Sequence, residues 1–376
     1  MDFSFSEEQT LLRNTVQSFL QDKYDFDTRR KIVASDEGFR RDYWQQFAEL
    51  GLLAAPFSEE MGGLGGGPID TMIIMEEFGR HLVVEPFLET VVLAGGFLHE
   101  GGSPAQQEEL IPGIIGGENI WAFAYAEPQG RYNLADLKTT AKKDGDGFVL
   151  NGYKCVVLAA PWADKLVVTA RTSGGQRDRD GVTVFIVDKG ADGVSTRDYP
   201  TVDGRRASEI TFENVKVGAD AVIGEVDKGL ALVEKVTDQA IAALSAEAIG
   251  GMKELNEATV EYCKTRKQFG VPIGKFQVLQ HRMVDMFMAY EQSVSMTYMV
   301  NLKVEEEEAE RKKAASGAKV QIGKAGRFVG QQAVQLHGGM GMTDELSVGH
   351  YFKRLTMIDT QFGNVDHHLK RYSSAA

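Results

Sequence analysis

GFVLNGYKCVVL, residues 147–158, is dense in β-branched and aromatic side chains and carries the pair Asn151-Gly152 at its centre. Such composition favours a pleated strand, and Asn-Gly is the dipeptide that best turns one strand into the next. Three runs of the same kind follow: DKLVVTART (164–172), GVTVFIVDKG (181–190) and SEITFENVKV (208–217). Short strands at this spacing predict a small antiparallel sheet or barrel, bounded here at residues 119–228. The turn between the first two strands is expected at Asn151-Gly152.

Working outward, both flanks change period. Upstream, Ser6 and Gln9 predict a capping box, after which Leu11, Leu12, Val16, Phe19 and Leu20 recur at helical spacing. IDTMIIMEEFGRHL (69–82) repeats the pattern, so residues 1–118 read as a helical domain. Between these helices lies EEMGGLGGGPID (59–70). No Lys-Ser/Thr follows it and the G-x-G-x-x-G spacing is missing, so it reads as a structural turn, not a phosphate cradle. Downstream, GLALVEKVTDQAIAALSAEAIGGMKELNEATVEYCKTR (229–266) and the run from Phe276 to Gly339 far exceed an average helix, which predicts a long-helix, four-helix-type bundle over residues 229–376. EEEEAERKK, Glu305 to Lys313, is expected as a solvated corner between two helices. The fold class is α+β.

Composition removes several classes of function. A net charge of −13 over 376 residues opposes a general nucleic-acid binder, which needs surplus Lys and Arg. Two cysteines, Cys155 and Cys263, supply neither a disulfide framework nor a four-ligand zinc site. His337, His367 and His368 have no acidic or thiol partners at ligand spacing, so no metal is expected. The opening MDFSFSEEQTLL lacks a cationic leader before an apolar stretch, and no run approaches the ~18 apolar residues of a membrane span. A cytoplasmic protein is expected.

One residue is out of place. From Ala240 to Met252 the only ionisable side chain is Glu247, set in an alanine-rich, apolar helix. A lone carboxylate there is costly to ionise, so its pKa is expected to be raised.

The order helical, β, helical, together with its motifs, resembles the acyl-CoA dehydrogenase family over essentially the whole chain. The matching stretches are LGLLAAPFSEEMGGLGGGPIDTMIIMEEFGR (50–80), AYAEPQG (124–130), GFVLNGYK (147–154), GRRASEITFENVKV (204–217), YCKTRKQFGVPIGKFQVLQHRMVDM (262–286) and QAVQLHGGMGMTDELSVGHYFKR (332–354). The resemblance implies FAD as cofactor and α,β-dehydrogenation of an acyl-CoA thioester: a carboxylate takes the α-proton and the β-hydride passes to flavin N5. It also implies an electron-transfer flavoprotein as acceptor and a homo- or hetero-tetramer.

Carried over residue by residue, the resemblance puts Phe123, Tyr125 and Ala126 on the strand facing the flavin ring, although Ala126 stands where a threonine is usual. Val156 replaces a common tryptophan and Leu158 a common threonine. Arg266, Gln268 and Phe269 match the clamp on the FAD adenine and pyrophosphate. Gln335, Gly338 and Gly339 are expected to complete it from a neighbouring chain, and Asn364 is placed at the cofactor too. Asp238 matches a residue near the CoA, while Arg206 reads as structural. The late glutamate of many members is absent: Phe362 stands there, leaving only its backbone N–H to contact the thioester oxygen. Another position used by some branches falls at Ala240, which is equally inert, and a second falls at Glu247. The expectation is therefore Glu247 as base. A buried glutamate neutralised by a structural arginine, or one turned to solvent on an otherwise apolar helix, is the competing reading of that residue. A non-catalytic or half-site subunit of an α2β2 dehydrogenase is the alternative for the whole chain.

Overall fold

A computed structural model describes residues 4–375. Eleven α-helices and ten strands are formed among them. The capping box forms as expected: Ser6 accepts from the Gln9 amide and the Gln9 side chain accepts from the Ser6 amide, opening α1 (Glu7–Lys23). Next come α2 (Phe26–Ala34) and α3 (Arg41–Glu49). The glycine-rich connection is a turn, with Gly62 and Gly65 at φ +82° and +73°, and α4 (Pro68–His81) begins on Pro68. A π-helical turn, Leu88–Ala94, leads into α5 (Gly95–Gly101) and α6 (Pro104–Ile115).

The strands are β1 (Trp121–Ala124), β2 (Thr140–Asp144), β3 (Gly147–Leu158), β4 (Lys165–Arg171), β5 (Val182–Asp188), β6 (Val194–Pro200), β7 (Arg206–Val217) and β8 (Val222–Ile223). They form one sheet in the order β6-β7-β3-β2-β4-β5-β8, with β1 joined to β4. Pairing is antiparallel except where β1 and β2 each run parallel to β4.

Asn151-Gly152 does not turn the chain. β3 continues straight through it, and the hairpin to β2 closes earlier, at Gly145 (φ +60°). The pair instead marks an irregularity in the register with β7 between Leu150 and Gly152. A Cβ on Gly152 would lie 2.6 Å from the Thr139 backbone, so the glycine is there for close strand approach. Asn151 spends its side chain accepting from the Asn214 amide at 2.9 Å.

The C-terminal part contains α7 (Gly229–Thr265), a hairpin of β9 (Lys267–Gln268) and β10 (Val271–Pro272), α8 (Gln277–Lys303), α9 (Glu308–His337), α10 (Ser347–Thr360) and α11 (Val365–Ser374). The acidic run makes the corner between α8 and α9 and starts α9, with Lys303 reaching Glu310 at 2.8 Å.

In space the chain forms two compact units. One joins the residues up to Lys31, Pro68–Val83 and everything from Ile241 on; the other holds Ile32–Gly67 and Val84–Ala240. Helix α7 therefore starts in the β-containing unit and continues in the helical one. From Ala240 to Met252 every residue of α7 is buried. Gly79 and Gly250 explain how: a Cβ on Gly79 would lie 1.9 Å from the Glu247 carbonyl oxygen, and one on Gly250 2.0 Å from that of Glu76. The two glycines let α4 and α7 touch backbone to backbone, as small residues do at tight helix crossings.

Candidate active site

Glu247 lies at this crossing and is 2% exposed. It is not solitary, which corrects the expectation of an unpaired acid in apolar surroundings. Arg354, 107 residues away on α10, donates Nε to Oε1 and Nη2 to Oε2, both at 2.6 Å. This is the bidentate fork that holds a carboxylate most firmly. Arg354 is also buried, at 5% exposure, and its Nη1 donates to Gln361 Oε1 at 3.1 Å. The arginine thus ties the middle of α7 to the residue before Phe362.

Phe362 itself is buried and occupies φ +55°, followed by Gly363 at φ +118°. A left-handed phenylalanine is strained, and such strain survives only where neighbours over-determine it. The neighbours here are buried donors. Lys319 of α9 gives its Nζ to the carbonyl oxygens of Ile358 (2.7 Å), Asp359 (3.0 Å) and Gly363 (2.8 Å). His368 Nε2 lies 3.0 Å from the Phe362 carbonyl oxygen, so that nitrogen carries the hydrogen. Its Nδ1 faces Ser316 Oγ at 3.4 Å. Burial pushes the Lys319 ammonium down to about 7, with Asp359 opposing the shift, and pushes His368 down to about 2. Asn364, expected at the cofactor, caps α11 by accepting from the His367 amide at 3.1 Å.

The clamp residues lie at the far ends of α7 and α9. Arg266, Gln268 and Phe269 are all exposed, in a hairpin whose two-residue loop, Phe269-Gly270, has φ +54° and +79°. That is the primed turn usually made by Asn-Gly, yet it carries a phenyl ring 90% exposed. Gln335, Gly338 and Gly339 are exposed at the end of α9. Gly338 adopts φ +59°, ψ −140°, open only to glycine, and a Cβ on it or on Gly339 would meet nothing within 4 Å. Tyr262 and His337, just before each group, have ring centroids 4.4 Å apart. One chain therefore brings both groups to the same end of its bundle.

In the β-containing unit, Phe123 on β1 is buried against Phe97 (centroids 4.7 Å), and Tyr125 stacks on it at 4.9 Å. Ala126 accepts from the Cys155 amide at 2.9 Å. Val156 stands at a register shift of β3, with φ +51° and 46% exposure, and Leu158 ends the strand. Fully buried Lys154 links these segments, donating to the Tyr125 carbonyl (3.2 Å) and Glu127 (2.8 Å). Burial opposes ionisation of Glu127, but Lys154 and the Lys138 amide hold its carboxyl below the usual range. Asp238 is fully buried on α7. Arg206 is structural as read, donating to the carbonyls of Val33 and Ser35.

Sequence reasoning missed Arg354, Lys319 and Lys154. A cation buried across 107 residues leaves no periodic trace. Lys319 alone gave a signal, as a lysine flanked by alanines and glycines in AASGAKVQIG. Among the described residues no His, Cys, Asp and Glu group could hold a metal, no helix is long and apolar enough to cross a membrane, and both cysteines are free.

Comparison with known proteins gives three consecutive family-model matches. They are "Acyl-CoA dehydrogenase, N-terminal domain" at residues 6–118, "middle domain" at 122–215 and "C-terminal domain" at 227–371. Mitochondrial isovaleryl-CoA dehydrogenase of Pongo abelii is 31% identical over 93% of this chain and 84% of its own length. The CarC subunit of the caffeyl-CoA reductase–Etf complex of Acetobacterium woodii is 30% identical over 93% of each. The solved ChsE4–ChsE5 complex of Mycobacterium tuberculosis superposes with a TM-score of 0.90 at 25% identity, covering 100% of this chain and 98% of the other.

Proposed function

Because the chain belongs to the acyl-CoA dehydrogenase family of flavoprotein oxidoreductases, we propose that it serves α,β-oxidoreduction of an acyl-CoA thioester as one member of a two-chain, α2β2 assembly. The partner chain type supplies the proton-abstracting carboxylate. The observation that carries this reading is the buried fork between Glu247 and Arg354: both oxygens are engaged, and Phe362 stands where the late acid would be. The ChsE4–ChsE5 complex, with two differently named chains, supports it. So does α8, which leaves Val278, Val284, Phe287 and Met288 half or more exposed, a stripe suited to a second chain.

FAD fits the residues present. Arg266 offers a charged fork to a pyrophosphate, exposed Phe269 a flat face to an adenine, and the open backbone at Gly338-Gly339 a close approach to phosphate oxygens. When bound, FAD supplies the acceptor for the β-hydride. The chain's own part is to hold the nucleotide there and to orient the thioester oxygen with the Phe362 N–H. A donor fixed toward a developing enolate oxygen stabilises it without reorganisation. An electron-transfer flavoprotein is the proposed acceptor, in keeping with the Etf complex of the CarC relative. That relative is named a reductase and the isovaleryl enzyme a dehydrogenase, so relatives of both names are similar to this chain.

A second reading keeps Glu247 as the base, with Arg354 swinging aside when substrate enters. Its support is the complete burial of this acid on an otherwise apolar stretch of α7. Anaerobic titration with a panel of acyl-CoA thioesters separates the two readings. The protein is prepared alone and with its co-purifying homologue, as wild type and Glu247→Gln. Flavin bleaching only in the two-chain preparation, retained by the Gln variant, is expected. Bleaching by the single chain that Glu247→Gln abolishes would overturn the first reading in favour of the second.

A further inference from the structure

The turn from Ile358 to Asn364 is held by side chains that no part of the reaction above uses. We infer that Lys319 and His368 are positioning residues: together they fix the Phe362–Gly363 turn in its left-handed conformation and so set where the Phe362 amide points.

Three observations converge. First, the donors match the acceptors. An ammonium has three hydrogens, and Lys319 Nζ meets three carbonyl oxygens within 3.0 Å, from both sides of Phe362. His368 takes the fourth, that of Phe362 itself. Second, the lysine is wholly enclosed, at 0% exposure, although a buried lysine is costly unless each hydrogen is satisfied. It makes no ion pair: Asp359, the acid beside it, pairs through Oδ2 with Arg327 at 2.8 Å. The cation is spent on backbone carbonyls alone, which serves to shape a loop. Third, the backbone it shapes needs shaping. Phe362 at φ +55° and Gly363 at φ +118° would relax toward other conformations if released. Gly323, one turn after Lys319 on α9, leaves room for the Asp359 carboxylate, whose Oδ1 would lie 2.3 Å from a Cβ there, so the side chain at the end of α10 packs directly onto the α9 backbone.

The groups facing this cluster are Arg354 and Asp359 on α10, Arg327 on α9, and His367 and Arg371 on α11. Arg371 Nη1 donates to Ser316 Oγ, which leaves the serine hydroxyl hydrogen for His368 Nδ1. That fixes the imidazole tautomer needed to donate to the Phe362 carbonyl.

The inference deepens the proposed function, since the turn matters to chemistry only if its amide meets the thioester. The test therefore reads the turn directly. Amide hydrogen exchange is measured on the intact protein for wild type, Lys319→Met and His368→Phe. Exchange of residues 360–364 faster by about tenfold, roughly one lost hydrogen bond, with α7 and α8 unchanged, is expected. Equal acceleration throughout the helical unit, or none at the turn, overturns it. If Lys319→Met does not fold, His368→Phe gives the same local readout. In the two-chain preparation each variant should lower kcat while leaving KM within about twofold, the mark of an interaction made mainly in the transition state. Should no acyl-CoA bleach the wild-type flavin, the proposed function falls while the exchange result still decides the positioning role.

Discussion

Removing either member of the Glu247–Arg354 pair strands the other's charge in a site only a few per cent exposed. Breaking such a pair typically costs about 3–5 kcal/mol, more than the intact pair contributes against an apolar replacement. Arg354→Met should therefore destabilise the protein by about that amount in urea unfolding, and the double variant Glu247→Gln/Arg354→Met by clearly less than the two singles combined. Additive losses would mean the two side chains do not depend on each other. At Phe362 the side chain and the amide are separable. Phe362→Ala keeps the N–H and should leave acyl-CoA-dependent flavin bleaching within about tenfold, while Phe362→Pro cannot reach φ +55°, removes the N–H and should abolish it. Equal loss in both variants would count against the amide's role. The oddity of Glu247 was legible in the sequence because a lone charge in an alanine-rich run is conspicuous. Its partner was not, since α10 meets α7 only after the chain has built two intervening long helices.

Elements meet here through glycines, and their spacing shows which meetings the sequence could announce. A glycine inside a helix can mark a bend or a close packing; the backbone of α4 at Glu76 decides for packing at Gly250. Gly79→Ala and Gly250→Ala should each cost at least the ~1–3 kcal/mol of an overpacked core, because the obstructing atom is backbone and cannot rotate away. Circular dichroism during thermal unfolding measures it, and an unchanged Tm would refute the tight crossing. Asn151-Gly152 misled for the opposite reason. Local propensity favours a hairpin there, but pairing with β7 on one side and β2 on the other runs past it, and long-range pairing outweighs a two-residue preference. The capping box at Ser6 and the acidic corner at Glu305 were legible because both are made within a few residues.

For the whole molecule, the buried titratable groups give stability a definite slope with pH. His368 is held near 2 when folded and returns to about 6.5 when unfolded, so between those values the unfolded chain binds a proton the native one refuses. Stability contributed by its burial is present above about pH 6.5 and is lost progressively as pH falls. Lys319 acts with the same sign in another window: about 7 when folded against 10.5 when free, so the unfolded state again holds the extra proton and stability rises with pH across that range. Glu127, held low by Lys154, adds stability above its unfolded value near 4.5 that is lost on acidification. Glu77, whose carboxyl burial raises, opposes them by favouring the native state as pH falls. His368 below about 6.5 and Lys319 above about 7 act with the same sign and predict a Tm that climbs from pH 5 to pH 8. His368→Phe should flatten the acid limb of that profile and Lys319→Met the limb above neutrality, each leaving the other in place. A wild-type Tm highest near pH 5, or a profile that His368→Phe leaves unaltered on the acid side, would show that the histidine is reached by water and that the enclosure of the Phe362 turn is looser than its hydrogen bonds imply.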